Sequence, residues 1–166
     1  MPARRSSPPA DDAARTDPQA ARTTAVGLLA RRDFAGAELR RKLLEKAFEE
    51  ATVAALIAEL TREGVLDDAR YAHNYVAYHA GRGQGPVRIG AELRRLGVPA
   101  ALVDAALQGG PDWAALARRV RSARFGPPPP SWTDKARQAR FLQYRGFSSD
   151  HIRAATGADP NGDFSL

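Results

Sequence analysis

Guanidinium groups recognise phosphates and carboxylates through paired, charge-assisted hydrogen bonds, and this chain concentrates them in one region. Residues 112–157 carry nine Lys and Arg against three carboxylates. Arg118, Arg119, Arg121 and Arg124 flank an apolar stripe on one helical stretch. Lys135, Arg137, Arg140 and Arg145 recur on the next, ahead of Arg153. Elsewhere the charges nearly cancel: residues 20–66 and 67–111 each sum to +1, residues 1–19 to zero and residues 158–166 to −2. The net +6 of the chain therefore belongs to its last third. Such concentration favours a polyanionic or acidic partner over a merely solvated helix face. If about five of these cations met phosphates of a single strand, log affinity would fall with log salt at a slope of about −3.5, roughly a hundredfold between about 50 and 200 mM.

Other motifs weigh differently. The segment 81–86 (GRGQGP) lacks the Gly-Lys-Ser/Thr ending of a P-loop and follows no strand. It reads as a flexible connector, with Arg82 and Arg88 as candidate contacts on either side. Asp67 and Asp68 are neighbours in sequence and do not converge on one point; they suit a helix N-terminus, where carboxylates cap free N–H groups. Tyr71, Tyr75 and Tyr78 lie along one helical face, which predicts packing inside a repeat, with base stacking as the secondary reading. His73 and His79 stand six residues apart, on different faces of a helix, and His151 lies in another segment, so no metal site is predicted. Cysteine is absent, which excludes disulfides, Cys-bearing zinc sites and thiol catalysis and fits a reducing cytoplasm. No Ser–His–Asp set is suggested by spacing. The chain is read as a binding protein without cofactor, metal or catalytic residues, not as an enzyme.

The elements that must position these arginines are helices. Val53, Leu56, Ile57 and Leu60 recur at i, i+3, i+4, i+7, and Ile89, Leu93 and Leu96 and then Trp113, Leu116 and Val120 follow the same period. No segment alternates with period two, so the class is all-α. Charge-free apolar runs such as Ala51–Ala58 are too short to span a bilayer. Pro99 suits the first turn of a helix, Gly97 and Gly146 the left-handed position just past one, and Ser148 an N-cap. The run 127–130 cannot be helical and reads as a stiff polyproline spacer.

Self-similarity organises the whole chain. Three segments align so that Leu43, Leu93 and Leu142 coincide, followed by Ala47, Gly97 and Gly146, then Phe48, Val98 and Phe147, then Val53, Val103 and Ile152. Each is preceded by another helical stretch. The unit is a three-helix repeat, used at 20–66, 67–111 and, in basic form, 112–157, with 1–19 a disordered N-terminal tail and 158–166 a C-terminal tail. Helices of this length bury little alone, so three tandem three-helix repeats are expected to stack into an elongated, curved array.

At these residues the pattern resembles the RecX regulatory proteins of bacteria. The resemblance runs from about Thr23 to Gly157. It rests on LLARRDFAGAELRRKLLEKAF, on GVLDDARYAHNYVAYHAGRGQGPVRIGAELRRLGV and on FLQYRGFSSDHI. Two departures stand out: Ala47 replaces the family's turn Gly, and Ala35 its capping Ser or Thr, which leaves Asp33 as the expected substitute cap. The resemblance implies a regulator of the RecA recombinase; the chain is expected to be cytoplasmic and a monomer. It would bind the RecA filament on single-stranded DNA and lower its growth, ATPase, strand-exchange and co-protease activities in recombination, DNA repair and the SOS response. A general nucleic-acid-binding helical protein and a structural adaptor are the alternatives.

Overall fold

The computed structural model describes residues 10–157. Among them there are helices and turns and no strand, ordered as α1 (Ala10–Arg15), α2 (Pro18–Leu29), α3 (Gly36–Glu45), α4 (Glu50–Arg62), α5 (Asp68–Gly81), α6 (Pro86–Arg95), α7 (Ala100–Gln108), α8 (Trp113–Phe125), α9 (Trp132–Tyr144) and α10 (Ser149–Thr156). Contacts divide the chain into two compact units, one ending at Tyr71 and one beginning at Ala72.

The first unit holds α1 to α4 and the start of α5. Helices α2, α3 and α4 pack on one another around Ala21, Ala25, Leu39, Leu43, Val53, Leu56 and Leu60, with Phe34 and Leu66 closing the ends. Helix α2 starts earlier than the apolar period suggests. Asp17 accepts a hydrogen bond from the Gln19 amide at 2.9 Å, and Pro18 occupies the first helical turn. The tail expected over 1–19 is therefore helical at 10–15 and from Pro18 on. Residues 1–9 and the tail at 158–166 lie outside the described residues.

The turn after α3 carries the expected strain. Ala47 sits at φ 66°, the one non-glycine with positive φ among the described residues, while Gly97 and Gly146 occupy the equivalent positions at 86° and 89°. In all three turns the following amide reaches back to the buried leucine: Phe48 N to Leu43 O at 3.3 Å, Val98 N to Leu93 O at 3.1 Å, and Phe147 N to Leu142 O at 3.1 Å. That is the Schellman arrangement, which satisfies the helix's last carbonyls and throws the next residue back onto the core. The register of the repeat is thus a register of backbone geometry. A left-handed alanine costs about 1 kcal/mol more than glycine there.

The missing cap of α3 is supplied by a residue other than Asp33. Ala35 makes no side-chain cap, and the Gly36 amide instead donates to Asp68 Oδ1 at 2.8 Å. The adjacent carboxylates divide the work: Asp67 caps its own helix through the Arg70 amide at 2.9 Å, and Asp68 caps α3.

The second unit holds most of α5 and the helices from α6 to α10. Helix α6 packs on α7, and α8, α9 and α10 pack mutually, burying Val76, Ile89, Leu93, Val103, Leu116, Leu142 and Ile152. Asp112, Ser131 and Ser148 cap α8, α9 and α10 through their side chains. The connector at 81–86 is clamped. Gly85 N donates to Arg145 O at 2.8 Å and Val87 N to Gly146 O at 3.0 Å, so the free amides of α6 meet the free carbonyls of α9. The crossing is too close for side chains: a methyl on Gly85 would strike the Gly146 backbone, and one on Gly146 would strike Arg88 Cβ. The expected flexibility yields to this backbone docking.

Candidate functional site

That docking brings the C-terminal end of α5 against α8 and α9 and leaves a groove of about 460 Å³ within the second unit. Leu116, Val120 and Ala123 of α8 and Phe141 of α9 form its apolar side. Arg82, Arg119, Arg124 and Arg145 surround them. No carboxylate lines it. Arg119 and Arg124 are exposed and make no ion pair or hydrogen bond among the described residues. Arg145 is fixed from two sides: its guanidinium donates to Arg82 O at 3.4 Å and lies 5.3 Å from the Phe141 ring centroid. Arg82 donates to the Tyr78 hydroxyl at 3.2 Å and lies 5.5 Å from that ring. Four guanidinium groups border an apolar floor with no acid among the lining residues, which leaves the groove positively charged.

The remaining sequence candidates fall elsewhere. Arg118 is exposed and unpaired among the described residues. Arg88 pairs with Glu92 at 3.0 Å, and Arg137 with Asp134 at 3.1 Å while lying 5.6 Å from the Phe125 ring. Lys135 is half-buried and Arg140 exposed.

Arg121 departs from its expected role as a surface cation. It is only 7% exposed and directs one Nη1 at Gly126 O (3.3 Å), Pro127 O (3.0 Å) and Gln138 Oε1 (3.4 Å). It ties the start of the polyproline spacer to α9 and is unavailable to a partner.

The tyrosine stripe divides as well. Tyr75 donates to Glu92 Oε2 at 2.9 Å. Burial would raise the Glu92 carboxyl, but the hydrogen bonds from Arg88 and Tyr75 hold it below the usual carboxylate range. Tyr71 is half-buried, and burial pushes its phenol up. Tyr78 is 61% exposed beside the groove's Arg82. Sequence reasoning missed Phe141 and Leu116 as the floor of the groove. Their signal was present, since Phe141 and Arg145 stand four apart on α9 and Leu116 and Val120 four apart on α8.

Among the described residues no cluster of three or more His, Asp or Glu could hold a metal ion, and no helix is long and apolar enough to cross a membrane. Residues 21–60, 67–107 and 112–156 match, in order, the families described as RecX first, second and third three-helix domains. A regulatory protein RecX from Halorhodospira halophila is 43% identical over 147 residues, covering 87% of this chain and 91% of that protein. One from Pseudomonas fluorescens is 41% identical over 135 residues, covering 80% and 87%. Among solved structures, RecX from Lactobacillus salivarius superposes with a TM-score of 0.74 at 20% identity over 83% of this chain and 93% of that one. A second crystal structure of a regulatory protein RecX gives 0.70 at 25% identity over 87% and 74%. With three consecutive domain matches spanning most of its length, the chain belongs to the RecX family of regulatory proteins.

Proposed function

We propose that this chain is a non-catalytic, monomeric, cytoplasmic regulator that binds the RecA recombinase filament on single-stranded DNA. Binding lowers filament growth, ATP hydrolysis, strand exchange and co-protease activity, and so restrains recombination, repair and the SOS response. Family membership supports RecA as the target. The groove supports an anionic contact: Arg82, Arg119, Arg124 and Arg145 carry positive charge without a paired acid, and a nucleoprotein polymer presents phosphates and acidic protomer surfaces. The three modules at 20–66, 67–111 and 112–157 are the working units of this reading, the last being the basic one.

The test adds the purified chain to preassembled recombinase filaments on single-stranded DNA and follows ATP turnover against dose. A dose-dependent fall supports the proposal, and unchanged turnover at saturating chain contradicts it. Inhibition far below one chain per protomer indicates capping of ends; inhibition only near saturation indicates occupancy along the filament. Tight, salt-sensitive DNA binding with no effect on the filament would favour a general nucleic-acid-binding protein.

A further inference from the structure

Beside the basic groove lies a second, more apolar slot of about 410 Å³, also within the second unit. Val76, Ala77 and Ala80 of α5 form one wall, and the turn Gly109–Gly110–Pro111 forms the other. Gly81, Leu116 and Arg119 line both cavities, so the slot adjoins the groove with Arg119 between them. His73 stands at the slot, exposed and without a hydrogen-bond partner among the described residues.

We propose that this slot receives an unstacked nucleobase of a single-stranded nucleic acid whose flanking phosphates are held by Arg119, Arg124, Arg82 and Arg145 of the adjoining groove.

The proposal deepens the functional reading and rests on it. Three observations favour a nucleotide over an acidic peptide. A nucleotide joins a flat, largely apolar ring to an anion at short range, which is the juxtaposition that Arg119 and the slot present. An extended peptide needs unpaired main-chain groups to bond with, and the walls offer few. They are helical, and the turn's own amides are engaged, Gly109 N with Ala105 O at 3.0 Å and Gly110 N with Leu107 O at 3.2 Å. Besides Arg119, the slot's polar side chain is His73, whose ring nitrogens can donate to or accept from the hydrogen-bonding edge of a base.

The experiment measures binding of the full chain, by fluorescence anisotropy, to a deoxythymidine oligonucleotide and to an abasic strand with the same number of phosphates. The intact strand is expected to bind about tenfold more tightly, with the same salt slope for both. Ala77→Phe fills the slot from an exposed helical position. It should abolish the preference for bases while leaving affinity for the abasic strand unchanged. Equal affinity for the two strands, a preference that survives in Ala77→Phe, or competition by polyglutamate as strong as by the strand would each overturn the base site. The regulatory reading fails separately: it is contradicted only if the wild-type chain leaves filament ATP turnover unchanged.

Discussion

The first and third repeats share a fold, a turn geometry and nearly the same number of cations, yet they use those cations in opposite ways. Residues 20–66 set eight Lys and Arg against seven carboxylates, and five of those bases, Arg22, Arg32, Arg40, Arg41 and Lys42, have an acid within ion-pair distance, leaving Arg31, Lys46 and Arg62 without one among the described residues. Arg22 meets Glu59 at 3.1 Å and Glu63 at 2.8 Å, Arg32 meets Glu38 at 2.7 Å, Lys42 meets Glu45 at 2.8 Å, and Arg40 pairs with Glu50. The hydrogen bond from Arg22 holds the Glu63 carboxyl below its ordinary range, and that from Lys42 does the same for Glu45. In residues 112–157 the acids are three, and two of them, Asp134 and Asp150, are matched to Arg137 and Arg153. Arg118, Arg119 and Arg124 are left without a counter-charge among the described residues. The core register fixes the trihelical unit, and the surface is free to be neutralised in one copy and left charged in another.

The glycine turn gives the largest way to break this comparison. Gly146→Ala adds left-handed strain and a collision with Arg88 at the crossing, so it should lower stability by about 3 kcal/mol or more. The reverse change in the first repeat, Ala47→Gly, relieves strain at an exposed turn and should raise stability by about 1 kcal/mol. Urea denaturation reads both, and opposite signs are the expected outcome.

Next in size, Arg121→Ala should lower stability by about 2–3 kcal/mol, because it removes a buried side chain and strips the buried Gln138 Oε1 and two spacer carbonyls of their donor. Arg40→Ala, which removes a surface pair, should change stability by less than about 1 kcal/mol.

The smallest effect is in pH. Burial lowers His151, whose ring shares a 2.8 Å hydrogen bond with Ser148, while Asp150 and Asp112 pull the other way. The folded state therefore favours neutral His151. Its contribution to stability is fully present above the ordinary value of 6.5 and is lost as pH falls below that toward the lowered value. His151→Gln should flatten the pH dependence of stability in this range.

The helices and their register were legible because the Schellman turn demands a particular residue at each step: a buried leucine, a residue tolerant of positive φ, then an apolar residue that folds back. The start at Pro18 was harder to see. The residues that α2 buries are alanines, Ala21 and Ala25, which leave little apolar period, although Asp17-Pro18 is itself a helix-opening pair. The role of Asp68 depends on a neighbour 32 residues away and has no local signal. Arg121 was readable in principle, since it stands four residues after buried Ala117, on the apolar side of α8, unlike Arg118 and Arg119. The groove itself could not be read from α8 and α9 alone. It exists because Gly85 and Gly146 let the connector at 81–86 dock against the end of α9.

The claim that unpaired arginines of the second unit carry the activity is tested most directly by titrating two charge-reversed chains into preassembled recombinase filaments and following ATP turnover. Arg119→Glu with Arg124→Glu should raise the dose needed for half inhibition by about tenfold or more. Arg40→Glu with Arg41→Glu, in the neutralised first repeat, should shift it by less than about twofold. Equal shifts, or a larger one from the first-repeat pair, would contradict the account.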